Sequence, residues 1–470
     1  MNFSQIKNYK ISILFIFTAM VLALYLPFFF HLLDLRELQI NRGEGLHTVL
    51  PIYGSDSIGY GLLADNLLQN GSLAYGGDYL HKPDTFRTPG FPAVLAVFKA
   101  VSGSYKYFPL LQILFVVGTA FLIYKIGRKF TETVGVAAGL LYIFDPTTIF
   151  HALNVNSDIS FAFFLIFSVY CLFFRDREIS YFSVFDGGLL LAVATLIRPI
   201  SMYLIVPLVL VYTFILKTKS VEKQIILKTV GLFIASFIII LAPWFVRNKL
   251  ITDTWGLASV QSFNLFHYTI PEFVSFKRNV QPDDLRRELY VKAEREGVDS
   301  HDVDKIKNGS VLNSISYPYI LSSPIGYAKW HVVKMTPFFF SSGFKNFFYI
   351  YNDILGYEVY KTNNENLTNY LMRGQFKKFS GVIGGQILIT LEQIFWVIIF
   401  ILMFIPLFKK DNRIYVLLLF GLILYLALPT VPVAYSRFRI PAAPYMFVLA
   451  SCGFLLVKDL ISVKIKRIKK

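Results

Sequence analysis

Charge is what this 470-residue sequence has least of. Asp, Glu, Lys and Arg make up 16% of it, against about 25% in a typical soluble chain. AVILMFWYC residues reach 55%, and mean hydropathy is +0.54. That balance excludes a soluble enzyme and a disordered chain, and it requires a bilayer as solvent. Cysteine is nearly absent. Cys171 and Cys452 each lie inside an apolar run and make no disulfide framework, CxxC pair or zinc spacing. The seven histidines are scattered without ligand spacing, so the sequence indicates no metal. Phosphate-binding glycine loops, dinucleotide fingerprints and nucleophile elbows are missing too.

What is present is apolar and aromatic, with 47 Phe and 28 Tyr. Ten apolar runs lie at 11–30, 108–127, 133–150, 158–174, 183–197, 200–216, 225–246, 386–408, 414–431 and 440–459. Several fall short of the ~20 residues that a perpendicular span needs. The first lacks a following small-residue cleavage site and reads as an uncleaved span. An all-α polytopic membrane protein of about ten transmembrane helices is expected, or eleven and more if the aromatic stretch 327–351 hides another. The net charge of 46 − 30 = +16 follows the positive-inside rule. With both termini in the cytoplasm, the inner loops carry Lys125, Arg128 and Lys129; Arg175 and Arg177; Lys217, Lys219 and Lys223; and Lys409, Lys410 and Arg413. The tail adds Lys464, Lys466, Arg467, Lys469 and Lys470. A prokaryotic inner membrane is the expected location.

The outer segments are then 31–107, 145–157, 198–199, 247–385 and 432–439. Three regions result: a membrane module over 1–247 with the first outer loop at 31–107, an outer region over 248–385 with interfacial helices, and C-terminal spans with a basic tail over 386–470. In the first loop, Tyr60, Leu63, Ala64, Leu67 and Leu68 have helical spacing, with Gly71 as terminator. Asp65, Asn66, Gln69 and Asn70 are expected to face away. The pattern predicts an amphipathic helix on the outer surface.

Two acids stand out on that side. Asp56, in Gly54-Ser55-Asp56-Ser57, reads as a helix cap or as a general base that takes a proton from an attacking hydroxyl. Asp158, after Asn154-Val155-Asn156-Ser157, reads as a helix start or as a partner of that base. Five arginines defy the positive-inside trend: Arg87, Arg198, Arg247, Arg437 and Arg439. Any one of them fits interfacial snorkelling. Together they suit bidentate binding of a lipid phosphate. His151 and Tyr60 are candidate acceptor or sugar contacts. Glu392 is an intramembrane acid, a functional candidate by default, unless its span begins later. The inner loops offer no nucleotide pocket, so an activated substrate must arrive on a carrier.

These residues resemble the membrane-embedded GT-C glycosyltransferases, in the branch of protein O-mannosyltransferases and lipid A aminoarabinose transferases (glycosyltransferase 39-like). The matching features are Asp56-Ser57-x-x-Tyr60 with Leu63-Ala64-x-x-Leu67 and Gly71, then Arg87-Thr88-Pro89-Gly90-Phe91-Pro92. Asp158 before a span follows, then Gly188 to Leu196-Ile197-Arg198-Pro199 and Pro243-Trp244-x-x-Arg247-Asn248. Tyr317-Pro318 with Tyr327, and Arg437-Phe438-Arg439-x-Pro441-x-x-Pro444, carry the similarity toward the end. The resemblance implies transfer of a sugar from a polyprenyl-phosphate carrier on the non-cytoplasmic face, usually with inversion. It implies Asp56 as base, Asp158 as helper and Arg87 on the donor phosphate. Sidedness adds Arg198, Arg247, Arg437 and Arg439 to the phosphate set. Some members use a divalent metal; no third ligand beside the two acids is apparent here, so none is assigned and no cofactor is indicated. The sequence ends soon after the last run, without the soluble C-terminal domain of some members, so acceptor choice is expected to rest on 247–385 and the outer loops. The acceptor is a glycan, lipid or protein, and no nucleic-acid partner is implied.

Two rivals remain. A lipid-linked oligosaccharide polymerase or ligase would use the same face and a pyrophosphate carrier. A flippase or transporter would show internal repeats and charges at mid-membrane, whereas here the polar groups cluster outside the spans.

Overall fold

The computed structural model describes residues 3–41, 55–75, 83–175, 179–345, 347–348 and 376–468. Arg177, Lys469, Lys470 and the end of the aromatic stretch, 349–351, lie outside them. Helices account for nearly all regular structure; among the described residues the sole β-pairing is one isolated bridge, Ala74 to Pro83.

The chain begins with α1 (Phe3–Asn41), then α2 (Ser55–Asn70), α3 (Gly90–Ser102), α4 (Phe108–Gly127), α5 (Glu132–Ile143), α6 (Pro146–Ala152), α7 (Ser157–Phe173), α8 (Tyr181–Ile197), α9 (Ile205–Thr218) and α10 (Lys223–Thr252). An outer group follows: α11 (Val260–Asn264), α12 (Ile270–Arg278), α13 (Pro282–Arg295), α14 (Gly309–Leu321), α15 (Pro324–Lys334) and α16 (Thr336–Phe340). The last elements are α17 (Phe376–Phe404), α18 (Arg413–Ala427), the short α19 (Ser436–Arg439) and α20 (Ala443–Ile468).

All ten apolar runs are helical, but they differ in length. Seven stretches are long and apolar enough to cross a membrane: Ser12–Asp34, Tyr105–Gly127, Pro199–Thr218, Lys223–Thr252, Gln386–Phe408, Arg413–Thr430 and Ala443–Ser462. The predicted span 133–150 is broken. α5 and α6 meet at 56°, because Pro146 supplies no amide to continue the ladder and Asp145 caps the new helix through the amides of Thr147 and Thr148. Counted as one, this pair makes eight spans. The two remaining runs are the 17-residue helices α7 and α8, a turn too short for a perpendicular crossing. Among the described residues, nothing between α10 and α17 is long and apolar enough to cross. The protein is an integral multi-pass membrane protein.

Packing explains where polarity can sit. α7 lies against α8 and α4, α8 against α10, and α20 against α17 and α5. One continuous core runs through these helices. The outer group has its own small core around Phe266, Ile270, Phe273, Leu285, Leu289 and Trp330, joined to the rest through Val431. The first-loop helix α2 forms as its spacing requires. Leu63 and Ala64 are buried, and Gly71, at φ +64°, ends it by donating its amide hydrogen to the Leu67 carbonyl. One expectation fails: Asn66 does not face away. It is buried and donates to the Ala74 carbonyl at 2.8 Å, because the chain returns beneath α2 and needs a donor there. The start of α3 lies so close to α8 that a Cβ at Gly90 would stand 2.5 Å from the Leu196 carbonyl carbon. Only glycine lets the Arg87 loop sit on the end of α8.

Candidate active site

Four separate elements bring charged side chains to one point. Asp56 stands in the first turn of α2, Asp158 in the first turn of α7, Arg198 at the end of α8, and Arg437 on α19. Arg437 bridges the two acids: its Nε donates to Asp158 Oδ2 at 2.7 Å and its Nη1 to Asp56 Oδ2 at 2.8 Å. Arg198 Nη1 donates to the other oxygen of Asp158 at 2.5 Å. Arg87 approaches the free side of Asp56 at 3.5 Å. Asp158 is fully enclosed, whereas the Asp56 side chain remains 40% exposed. One acid is locked away between two arginines; the other looks outward.

The local sequence explains how each is held. Ser57 donates toward Asn154 Oδ1 and Asn156 Oδ1, at 3.3 and 3.2 Å, which ties α2 to the start of α7. The Tyr60 hydroxyl lies 3.5 Å from Ser157 Oγ, and the Arg87 guanidinium stands 5.3 Å from the Tyr60 ring centroid. Arg87 also donates to the Tyr75 hydroxyl. Its loop is shaped by Asp84, whose buried carboxylate accepts the amides of Phe86 and Arg87 at 3.2 and 3.1 Å. Burial pushes the Asp84 carboxyl up and the Tyr75 phenol up to about 12. Tyr75 therefore meets Arg87 as a neutral hydroxyl.

Burial would also push Asp56 up. The charge and hydrogen bond of Arg437, with the charges of Arg87 and Arg198 behind them, outweigh it and hold the carboxyl below its ordinary 3.8. Burial pulls Arg437 down, but Asp158 and Asp56 more than reverse this, so its pKa is raised well above the usual arginine value. Asp56 is an anion at every physiological pH. Three guanidiniums against two carboxylates leave the cluster one net positive charge.

The other residues expected here do not join it. Arg247 lies on α10, stacked 4.3 Å from the Trp244 centroid, with its Nη atoms on the carbonyls of Asp84 and Leu73 at 2.9 and 3.3 Å. It grips the backbone of the Arg87 loop. Arg439 is buried on the opposite side of α19 from Arg437 and donates to the carbonyls of Phe338, Phe339 and Ser341. His151 is buried within α6, within electrostatic reach of Asp158, and neither ring nitrogen meets a described partner. Glu392 is buried and accepts from the Ser342 hydroxyl and the amides of Gly343 and Phe344. Asp84 and Tyr75 went unread in the sequence. Asp84, three residues before Arg87, has the spacing of a carboxylate that caps a turn, and that signal was available.

A cavity of about 560 Å³ opens beside the cluster, between the outer helices and the ends of α8 and α18. Arg198 and Phe438 line it with Tyr203, Tyr268, Tyr327 and Tyr425, so it is mainly apolar with a cation at one end. A larger cavity of about 780 Å³, between α5, α17 and α20, is almost wholly apolar. The carboxylates it reaches, Asp145 and Glu392, accept hydrogen bonds from neighbouring backbone and hydroxyl groups, whereas the smaller cavity is lined by an arginine of the cluster. Among the described residues, no three His, Cys, Asp or Glu side chains stand together as metal ligands.

Residues 83–246 match the family model described as dolichyl-phosphate-mannose-protein mannosyltransferase. That stretch holds Arg87, Asp158 and Arg198, while Asp56 and Arg437 lie outside it. The resemblance read from the motifs is therefore found independently over this segment. No curated protein matches the chain. Among solved structures, it is similar to the archaeal oligosaccharyltransferase AglB from Archaeoglobus fulgidus, solved with an inhibitory peptide and a dolichol-phosphate. The TM-score is 0.51 and the identity 12%, over 97% of this chain and 51% of AglB. It is also similar to ArnT from Cupriavidus metallidurans bound to undecaprenyl phosphate, with a TM-score of 0.39 and 14% identity over 93% of this chain and 76% of that one. The chain spans about half the length of AglB, and that likeness is one of fold.

Proposed function

We propose that this chain is a membrane glycosyltransferase that moves a sugar from a polyprenyl-phosphate carrier to an acceptor hydroxyl. The reaction takes place at the non-cytoplasmic ends of ten membrane-crossing or membrane-embedded helices, with both termini inside. The observation that carries this is the joining of Asp56 and Asp158 through Arg437, with Arg87 and Arg198 alongside, at the head of an apolar cavity. The cavity takes the isoprenoid chain and the arginines take its phosphate.

The chemistry follows from the charges. A sugar phosphodiester carries one negative charge, matched by the one net positive charge of the cluster. The acceptor oxygen attacks the anomeric carbon as the carbon–oxygen bond to phosphate breaks, and that electron pair leaves with the polyprenyl phosphate. Asp56, the exposed acid, takes the acceptor's proton. A carboxylate with a lowered pKa is a weak base, but the hydroxyl becomes strongly acidic as its oxygen bonds to carbon, so a weak base suffices. The arginines stabilise charge that gathers on phosphate in the transition state. Asp158 keeps Arg198 and Arg437 aimed.

The pH profile has a definite sign. Because Asp56 is held below 3.8, kcat/KM is expected to stay level from neutral pH down past the ordinary carboxylate range. It should fall only as Asp56 is protonated. A profile that already falls between pH 5 and 6 would place the base elsewhere.

The decisive test uses purified protein in lipid nanodiscs with radiolabelled polyprenyl-phosphate sugars and membrane extracts as acceptor source. Label appearing on an acceptor supports the proposal. Donor crossing the bilayer without transfer would support a flippase, and transfer only from pyrophosphate-linked glycans would support a polymerase or ligase.

A further inference from the structure

The two arginines of Arg437-Phe438-Arg439 face different worlds. Arg437 looks into the acid cluster. Arg439, 1% exposed, lies with its guanidinium carbon 3.5 Å from the Trp396 ring centroid. Its Nη1 reaches the carbonyls of Phe338 and Phe339 at 3.0 and 3.1 Å, and its Nη2 that of Ser341 at 3.0 Å. Glu392 grips the next residues of the same segment, accepting the amides of Gly343 and Phe344 at 2.9 and 3.0 Å. It also accepts from the Trp396 indole at 3.4 Å. The segment 338–344 is thus held by its carbonyls from α19 and by its amides from α17.

That segment also backs the other half of the site. A Cβ at Gly343 would stand 2.5 Å from Thr147 Oγ1 and 2.8 Å from its Cα, so the held backbone presses on the first turn of α6. α6 leads directly into Asn154, Asn156 and Asp158. α19 is only four residues long and has no helical length to fix its own orientation. Something outside it must set where Arg437 points.

We infer that Arg439, with Glu392 and Trp396 behind it, is a second positioning residue for Arg437: Asp158 holds the guanidinium itself, and Arg439 sets α19 so that it reaches both Asp56 and Asp158. The inference rests on the reading of Asp56 as base. Lysine keeps the charge but cannot fork to three carbonyls or stack flat on an indole.

The test is Arg439→Lys, with Glu392→Gln as a second variant if the first fails to fold. Amide hydrogen exchange over 435–442 and over α2 reads the position of α19 without any substrate. It is expected to speed up in Arg439→Lys and in Arg437→Lys alike. Unchanged protection in both segments would overturn the inference even if the protein proves to be no transferase. With whichever radiolabelled polyprenyl-phosphate sugar the wild-type protein transfers as probe, kcat should fall on the order of 10²-fold, the cost of a misplaced group, with donor KM little changed. The acid limb of the pH profile should move upward, since Asp56 loses the arginine that holds it down. Arg437→Lys/Arg439→Lys should be no slower than Arg437→Lys alone. An unmoved acid limb, or effects that multiply, would mean that Arg439 merely holds the fold. Absence of transfer by the wild-type protein counts against the glycosyltransferase reading and leaves the exchange result to decide this one.

Discussion

Asp56→Asn is expected to lower kcat by about 10²- to 10⁴-fold, the range a positioned general base contributes, while donor binding holds or tightens. The amide has nearly the shape of the carboxylate, and its single oxygen can still accept from Arg437, 2.8 Å from Asp56 Oδ2, while the looser 3.5 Å approach of Arg87 to the other oxygen is given up. It cannot take a proton. The substitution also removes one negative charge, so the cluster passes from one net positive charge to two, which favours a phosphate ligand. A merely structural aspartate would behave otherwise: the arginines would drift, and donor KM would rise along with the loss of kcat. Steady-state kinetics with a polyprenyl-phosphate sugar, together with a direct binding titration of the carrier phosphate, separates the two. Activity within a few-fold of wild type would remove Asp56 from the mechanism.

Arg437→Gln is expected to damage stability and activity together. Asp158 is fully buried and shares its charge between Arg437 and Arg198. Breaking a buried pair from one side costs about 3–5 kcal/mol, because the remaining charge is stranded; Arg198 still serves one oxygen, so the lower end is expected. Adding Asp158→Asn to Arg437→Gln neutralises the stranded acid and should restore part of the thermal midpoint in detergent. It should restore no transfer, because Asp56 still lacks the guanidinium that aims it. Recovery of activity along with stability would show that the triad serves only folding. An unchanged midpoint in the single variant would show that the pair is weaker than its geometry implies.

Much of this site was legible in the sequence, and the limits are physical. Asp56 and Asp158 announce themselves because each opens a helix after a polar stretch. Arg87 does so because it precedes Thr88-Pro89-Gly90, where the chain must turn. Their convergence is another matter. Arg437 lies 381 residues from Asp56 and 279 from Asp158, and no local pattern encodes contacts of that span. Arg439 shows the limit most plainly. Sidedness grouped it with Arg437, yet two residues along a helix amount to about 200° of rotation, so neighbours at that spacing point almost oppositely. Arg247 was grouped in the same way, and its Nη atoms went to backbone carbonyls that no side-chain pattern reveals. The apolar runs are legible from local hydropathy along the chain. The break at Asp145-Pro146 was not drawn, although a proline beside a capping acid is a sufficient cause.

The net positive charge of the cluster has a consequence for what happens after the bond is made. In the proposed reaction the donor is a diester with one negative charge. The carrier left behind is a monoester, carrying about −1.5 to −2 at neutral pH with its second pKa near 6. The arginines that suit the first suit the second better, and the same apolar cavity keeps its tail. Under the proposed reaction the spent carrier should therefore bind more tightly than the donor. This affinity slows release of the used lipid, and discharged carrier added to the nanodiscs is expected to inhibit transfer.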